Sequence, residues 1–491
     1  MYQKILKKQY FTRLAVAMCT INLFQPAYTA DMVYAADADP SNEDESPQSI
    51  SLPESYDARI YGFVTAVRNQ GIYNTCWAHG AVACAESNML TKNMAPQDSL
   101  DLSEYHLTYF SYHIPDDPLG NATGDAMILH EPNDLTSGGI KYAVFSLANW
   151  VGFADEQDVP YPSGGEPVQS PDTSLAYKDV AHLKNAYWLD TEDNNQLKTL
   201  IMQMGAANAH IYASDFFTYF NQETSAYCSP IENTDHAVTI VGWDDHYPKQ
   251  NFNSIHQPAS DGAWLAKNSW GKDWGDHGYF WISYEDSSIR SSDFTFLEVG
   301  SPNEYQYNYH YDGAIGMTYG IFQPESSFAN IYTANAGSAG AQELQAVSLA
   351  LKTPNIHYSL QIYKNITDRT DPTSGTPVFE LPQTVTLPYA GYYTIPLEKS
   401  VILHKNETFS IVFVLENTAG GTFELYVDHS HEGGWYDAQT SESSGQSFFK
   451  NGTNASWQDW AFCDIPATAR IKAFTSDVTH DPITPISLED I

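Results

Sequence analysis

Basic residues are scarce in this chain: 23 Lys and Arg stand against 60 Asp and Glu, for a formal net charge of −37. So acidic a surface repels phosphate backbones and anionic lipid, which argues against nucleic-acid or membrane-surface partners. Cysteine is scarce too, with five in 491 residues (Cys19, Cys76, Cys84, Cys228 and Cys463) and no C-x-x-C spacing. Neither a disulfide framework nor a cysteine metal site fits that pattern, so any one of them is free to be kept for its reactivity. No apolar run is long enough to span a membrane. The most apolar stretch, Leu14 to Phe24, follows Lys4, Lys7, Lys8 and Arg13 and precedes Val33-Tyr34-Ala35. That is the pattern of a signal peptide over residues 1–35, and it predicts a secreted protein.

What is present suffices for ordinary cores. Hydrophobic residues make up 42% of the chain and aromatics 14%, and the length predicts two to three domains. Residues 36–51, rich in Asp, Glu, Ser and Pro, read as an acidic linker. From Leu52 the texture changes. Ala78, Ala81, Val82, Ala85 and Met89 recur at helical spacing behind Thr75, a candidate N-cap, which places Cys76 in the first turn of a helix. Further helices are expected near Ser103 and after Gly138-Gly139. Beyond His236 the pattern turns to strands, with Ala237 to Val241 ended by Gly242, then Gly262 to Lys267 and Gly278 to Tyr284. From about residue 305 only strand texture remains, including Tyr358 to Tyr363, Gly391 to Leu397, Phe409 to Leu415 and Ala469 to Phe474. The prediction is an α+β domain over 52–300, an all-β sandwich over 301–475 and a tail over 476–491. The abrupt change at the boundary predicts a second core able to fold alone.

Three stretches carry chemistry. A cysteine in the first turn of a helix faces unpaired N–H groups and the positive end of the helix dipole, which favour thiolate; Gln70 to Trp77 supplies it. His236 opens a strand after Asp235. Trp264 to Gly275 contains Asn268 and Trp270. Attack by a thiol on a carbonyl needs a base and a group that fixes the base's tautomer. Cys76, His236 and Asn268 provide these at intervals of 160 and 32 residues. The polar segment 245–262 is the insertion that lengthens the second interval.

These stretches resemble the papain-like cysteine peptidases. The resemblance covers about residues 52–300: Leu52-Pro53 through Asp57-Ala58-Arg59, Val64 to Gly71, Leu102-Ser103-Glu104, Ser137-Gly138-Gly139, Tyr161-Pro162, His236-Ala237-Val238, Lys267 to Gly271, Trp274-Gly275 and Gly278-Tyr279. It implies a two-lobed catalytic domain with Cys76 as nucleophile, His236 as acid–base partner, Asn268 to orient the imidazole and Trp270 to shield that bond. Gln70 would donate to the oxyanion, and Gly138 and Gly139, with Trp77, Trp270 and Asp235, would border the substrate. Asp235 also reads as a modulator of the ion pair or as a surface carboxylate. Tyr73 and Asn74 stand where the family has Cys and Gly, so the disulfide beside the site is absent. His79 occupies a usually aromatic position and reads as a packing variant.

The C-terminal segment resembles, by arrangement and strand texture, the lectin-like domain of bacterial cell-wall cysteine peptidases. The function expected is therefore a secreted endopeptidase, with cell-surface association open to it, acting on protein or peptide through a thioester, with no cofactor required. The alternative is an inert or transamidating homologue that works through a carbohydrate- or cell-wall-binding sandwich. Trp435, Tyr436, Trp457 and Trp460 could stack on sugar rings in loops, or be core. Asp428 and Asp437 could hold Ca²⁺ through oxygen, although no 12-residue calcium loop is present.

Overall fold

The computed structural model describes residues 52–478, apart from 122, 131–134, 163, 165–167, 191–192, 336, 338–339 and 434–435. The signal peptide, the acidic linker, Trp435 and the tail beyond 478 lie outside the described residues. Helix α1 (Cys76–Thr91) runs buried through the catalytic domain, flanked by α2 (Glu104–Tyr112) and α3 (Ile140–Ala148). Ser103 caps α2, accepting from His106 N at 2.9 Å. Thr75 occupies the N-cap position of α1, but its side chain caps nothing. Its hydroxyl is 2.5 Å from the Tyr161 hydroxyl instead.

Against these helices lies an antiparallel sheet in the order His182–Leu189, Phe294–Gly300, Ala207–Ile211, His236–Asp244, Ala263–Lys267 and Tyr279–Ser283. The His236 strand does not end at Gly242. It continues to Asp244, with a register shift between Ile240 and Gly242. Gly242 is needed because Ser55–Asp57 pairs there, and a Cβ would fall 2.1 Å from Tyr56 O. Among the elements before His236 outside the sequence expectation are the strands His182–Leu189 and Ala207–Ile211, and helix α4 (Asn194–Met204) between them. Leu197, Leu200, Ile201 and Met204 give α4 its buried stripe. Asp193 caps its start, and Gly205 ends it at φ +98°. The insertion 245–262 is not loose, since Tyr247 and Phe252 pack with Cys228.

The C-terminal domain is a sandwich. One face includes Ala341–Leu351, Ala390–His404 and Ala473–Asp477; the other includes Glu325–Thr333, Ile356–Lys364 and Thr408–Asn417. Leu344, Val347 and Leu349 from the first meet Phe328, Leu360, Ile362 and Phe413 from the second in one core. The stretch 469–474 is not one strand, and the last strand runs on to Asp477, two residues into the predicted tail.

The sandwich has a core of its own, and a few of its residues also pack into the core of the preceding domain. Ala390, Gly391 and Tyr392 pair with Trp188, Tyr187 and Ala186, so one sheet crosses the boundary. At Gly391 a Cβ would lie 2.1 Å from Ala186 O, and only glycine allows that approach. Tyr426 packs against Phe145 and Trp188, with ring centroids 5.3 and 5.7 Å away. Beneath them Arg470 and Lys472, both 0% exposed by side chain, meet Asp312 and Asp428. Asp312 accepts from Lys472 Nζ at 2.7 Å and Arg470 at 3.3 Å, while Asp428 accepts from Arg470 at 3.1 Å. Strand texture does not foretell this seam, because it reports a buried face and not what covers it.

Candidate active site

Two local devices bring the predicted residues together. His236 begins a strand that pairs with Ala207–Ile211 on one side and Ala263–Lys267 on the other, and Asn268 follows that second neighbour directly. The loop carrying Gln70 is then fastened to the loop carrying Asn268: Gln70 N donates to Ser269 O at 2.8 Å, and Gly271 N to Arg68 O at 3.0 Å. Asn268 N donates to Gly278 O at 2.9 Å. Gly278 sits at φ +92°, where a Cβ would also strike Val67.

The result is a hydrogen-bonded chain. The Cys76 thiol, half-buried at the first residue of α1, interacts electrostatically with the His236 imidazole. His236 Nε2 donates to Asn268 Oδ1 at 2.8 Å, leaving Nδ1 for the thiol. Oδ1 also accepts from Ser269 N at 2.8 Å, which fixes which way the amide points. The Trp270 ring lies 4.8 Å from the imidazole and is itself wedged against Phe216 and Trp274. His236 is 5% exposed and Asn268 3%. Water is thus kept from the bond that sets the tautomer.

Burial by itself would push the Cys76 thiol up, but the hydrogen bond and charge of His236, with backbone groups of Ala237 and Trp77, hold it below its ordinary value. Burial would likewise push His236 down, and its bond to Cys76 and its bond to Asn268 raise it instead. The pair therefore favours thiolate beside imidazolium. Cys84, two turns along the same helix and fully buried, is pushed up by burial. Cys228 is pushed up to about 12 by burial.

Gln70 is held at both ends of its amide. Nε2 donates to Tyr73 O at 2.8 Å, and Oε1 accepts from Ser269 Oγ at 2.6 Å. Nε2 carries a second hydrogen besides the one given to Tyr73 O. Trp77 does not line the cleft: it is 1% exposed, and its indole donates to Thr136 O at 3.1 Å. It supports Gly138 from below, where a Cβ would fall 2.5 Å from its ring and from the Tyr112 hydroxyl. Gly139, extended at φ −160°, precedes α3. Asp235 is exposed and holds the neighbouring loop, accepting from Ala213 N at 2.5 Å and Ser214 N at 3.1 Å. Its charge adds a smaller upward push on His236.

Sequence reasoning left several supporting residues without a role. Ser269 steadies Gln70, and the Tyr161 hydroxyl donates to Gln70 O at 3.1 Å. Behind Asn268, buried Lys267 donates to Thr65 Oγ1 at 3.1 Å, and Thr65 donates to Glu86. Burial pushes Glu86 and Glu104 up to about 7. His79 is neutral packing, pushed down to about 4 by burial, with Nδ1 2.9 Å from Thr75 O and its ring edge-on to Tyr161. Of the aromatics singled out for sugar stacking, Tyr436 is 5% exposed in a strand and Trp460 is 9% exposed against Phe449, while Trp457 is half-buried with Lys450 Nζ 4.5 Å over its ring. Asp428 is taken up by Arg470 and Ala314 N, and Asp437 by His130 and Gly433 N.

Comparison with known proteins agrees with this geometry. Residues 52–295 match the papain family cysteine protease model, and residues 305–475 the lectin like domain model. A viral cathepsin of Heliothis zea nuclear polyhedrosis virus is 28% identical over 237 residues, 47% of this chain and 52% of that protein. Procathepsin L of Felis catus is 29% identical over 243 residues, 48% of this chain and 62% of its own length. This chain thus spans between half and two thirds of the length of these curated relatives. Similarity to the structure of the cysteine protease and lectin-like domains of Cwp84, a surface layer associated protein of Clostridium difficile, covers 88% of this chain and 90% of that one, at 27% identity and a TM-score of 0.72. A second Cwp84 structure, after propeptide cleavage, gives 26% identity and the same TM-score over 86% of this chain and 99% of that one. The chain belongs to the papain family of cysteine proteases, with a lectin-like domain behind its protease domain.

Proposed function

We propose that this chain is a secreted endopeptidase that hydrolyses peptide bonds through a thioester on Cys76. The observation that carries the reading is the bonded series Cys76–His236–Asn268 with the Gln70 amide beside it. The Cys76 thiolate attacks the scissile carbonyl carbon, forming the S–C bond, and the developing oxyanion is met by Gln70 Nε2 and the Cys76 backbone N–H. The C–N bond breaks as His236 gives its proton to the leaving amine. Water, deprotonated by His236, then attacks the thioester; the C–S bond breaks and the thiolate–imidazolium pair returns. Asn268 holds the ring through both proton transfers without accepting a proton.

The lectin-like domain supports a carbohydrate partner and a place at the cell surface, in line with the surface layer association of Cwp84. No helix among the described residues is long and apolar enough to cross a membrane. A peptide-library digest with the purified protein, run beside Cys76→Ala, tests the reading. Internal cleavage that Cys76→Ala lacks supports it; a product carrying an added amine in place of water points to transamidation instead.

A further inference from the structure

Helix α3 begins at the glycine pair, and the lectin-like domain grips it at both ends. At its C-terminus Asn308 Nδ2 donates to Ala148 O at 3.0 Å, and Lys472 Nζ reaches Asn149 Oδ1 at 2.6 Å. A buried cation there complements the negative end of the helix. At its N-terminus the strand Tyr436–Gln439 of the lectin-like domain pairs with Ala126–Leu129 of the protease domain. Asp125 fastens that junction, accepting from Ser441 N and Oγ, each at 2.8 Å. The pairing carries Tyr436 onto Tyr142, ring centroids 5.6 Å apart and nearly perpendicular at 84°, with the two hydroxyls hydrogen-bonded. Tyr142 in turn lies along Gly139, where a Cβ would be 3.5 Å from its ring, and Tyr142 N donates to Gly139 O at 3.0 Å. From the other side Tyr112 donates to Ser137 O at 3.1 Å, and Trp77 lies under Gly138.

We infer that Tyr436 is a positioning residue for substrate: through Tyr142 it sets the Ser137–Gly139 backbone against which an extended peptide lies. The inference rests on the peptidase reading above and deepens it. The lectin-like domain becomes part of the groove's support, and peptide affinity depends on it. Tyr436 touches neither the thiol nor the imidazole, so it acts on binding and leaves the chemical step alone.

The test compares Tyr436→Ala and Tyr436→Phe in the full chain. With peptides long enough to lie along Gly138–Gly139, Tyr436→Ala should raise KM roughly three- to tenfold, the scale of one aromatic pair, with kcat within about twofold. Tyr436→Phe keeps the ring and should recover most of the loss. A substrate too short to reach the glycines should show no change. An unchanged KM on long peptides, or KM, kcat and the rate of Cys76 alkylation all worsening together, would overturn the inference. If Tyr436→Ala does not fold, Tyr436→Leu serves. Binding of an extended peptide to Cys76→Ala protein gives a Kd that should weaken by the same factor. That readout needs no turnover, so it separates failure of the positioning role from failure of the hydrolytic reading.

Discussion

The active site and the seam between the domains both bury opposite charges, and they differ in whether those charges can be given up. At the site each partner can be neutral: a half-buried thiol and an imidazole, with Cys76 held down and His236 held up by each other. At the seam Arg470 and Lys472 are sealed against Asp312 and Asp428, and the guanidinium has no neutral form to retreat to. A reversible pair at an open edge suits proton transfer. The interior cluster lies wholly within the C-terminal domain and braces the face turned to Phe145 and Asn149 of the protease domain, and it fails badly when one member is lost.

The sharpest way to break this comparison is to remove one member from each. Cys76→Ala should lose about a thousandfold or more in peptide cleavage, with thermal unfolding unchanged. Asp312→Ala should do the reverse, lowering stability by about 3–5 kcal/mol because Lys472 and Arg470 keep their buried charge, while the folded fraction still cleaves. Urea unfolding beside active-site titration separates the two losses. Within the site, His236→Ala should match Cys76→Ala. Asn268→Ala should lose about a hundredfold, since it misplaces the base without removing it.

The smallest effect is expected behind the site. Glu86 and Glu104 are raised to about 7 by burial, above their ordinary value. A carboxyl raised on folding stabilises the native state below its unfolded pKa and loses that contribution as pH rises through the folded value. Stability should therefore decline between about pH 4.5 and 7.5. Glu86→Gln should flatten the slope of unfolding free energy against pH in that window. An unchanged slope would assign the decline, if any, to other groups.

The site was more legible than its surroundings because its signals are local. Cys76 in a first helical turn, His236 at a strand start and Asn268 beside Trp270 each announce themselves within a few residues. The seam depends on partners far apart in sequence. Nothing around Gly391 says that Ala186 will lie 2.1 Å from its absent Cβ. Arg470 and Lys472 alternate with Ala469, Ile471 and Ala473, a spacing that marks a strand with two unlike faces and does not say what covers the charged one. The two are the most deeply buried cations of the seam. Tyr436 was read as a loop aromatic, since nothing near it in sequence reveals Ala126–Leu129 as its neighbour. Helix α4 has local signals of its own, the Asp193 cap and the apolar spacing of Leu197, Leu200, Ile201 and Met204.

The central claim is that Cys76 is thiolate because His236 is beside it, and alkylation by a neutral reagent reads that state directly. In the intact chain the rate of Cys76 alkylation should already be high about two units below the reference thiol pKa of roughly 8.5, and His236→Ala should remove that acid limb. A rate that rises only above the reference value, and that His236→Ala leaves unchanged, would contradict the ion pair and the peptidase reading with it.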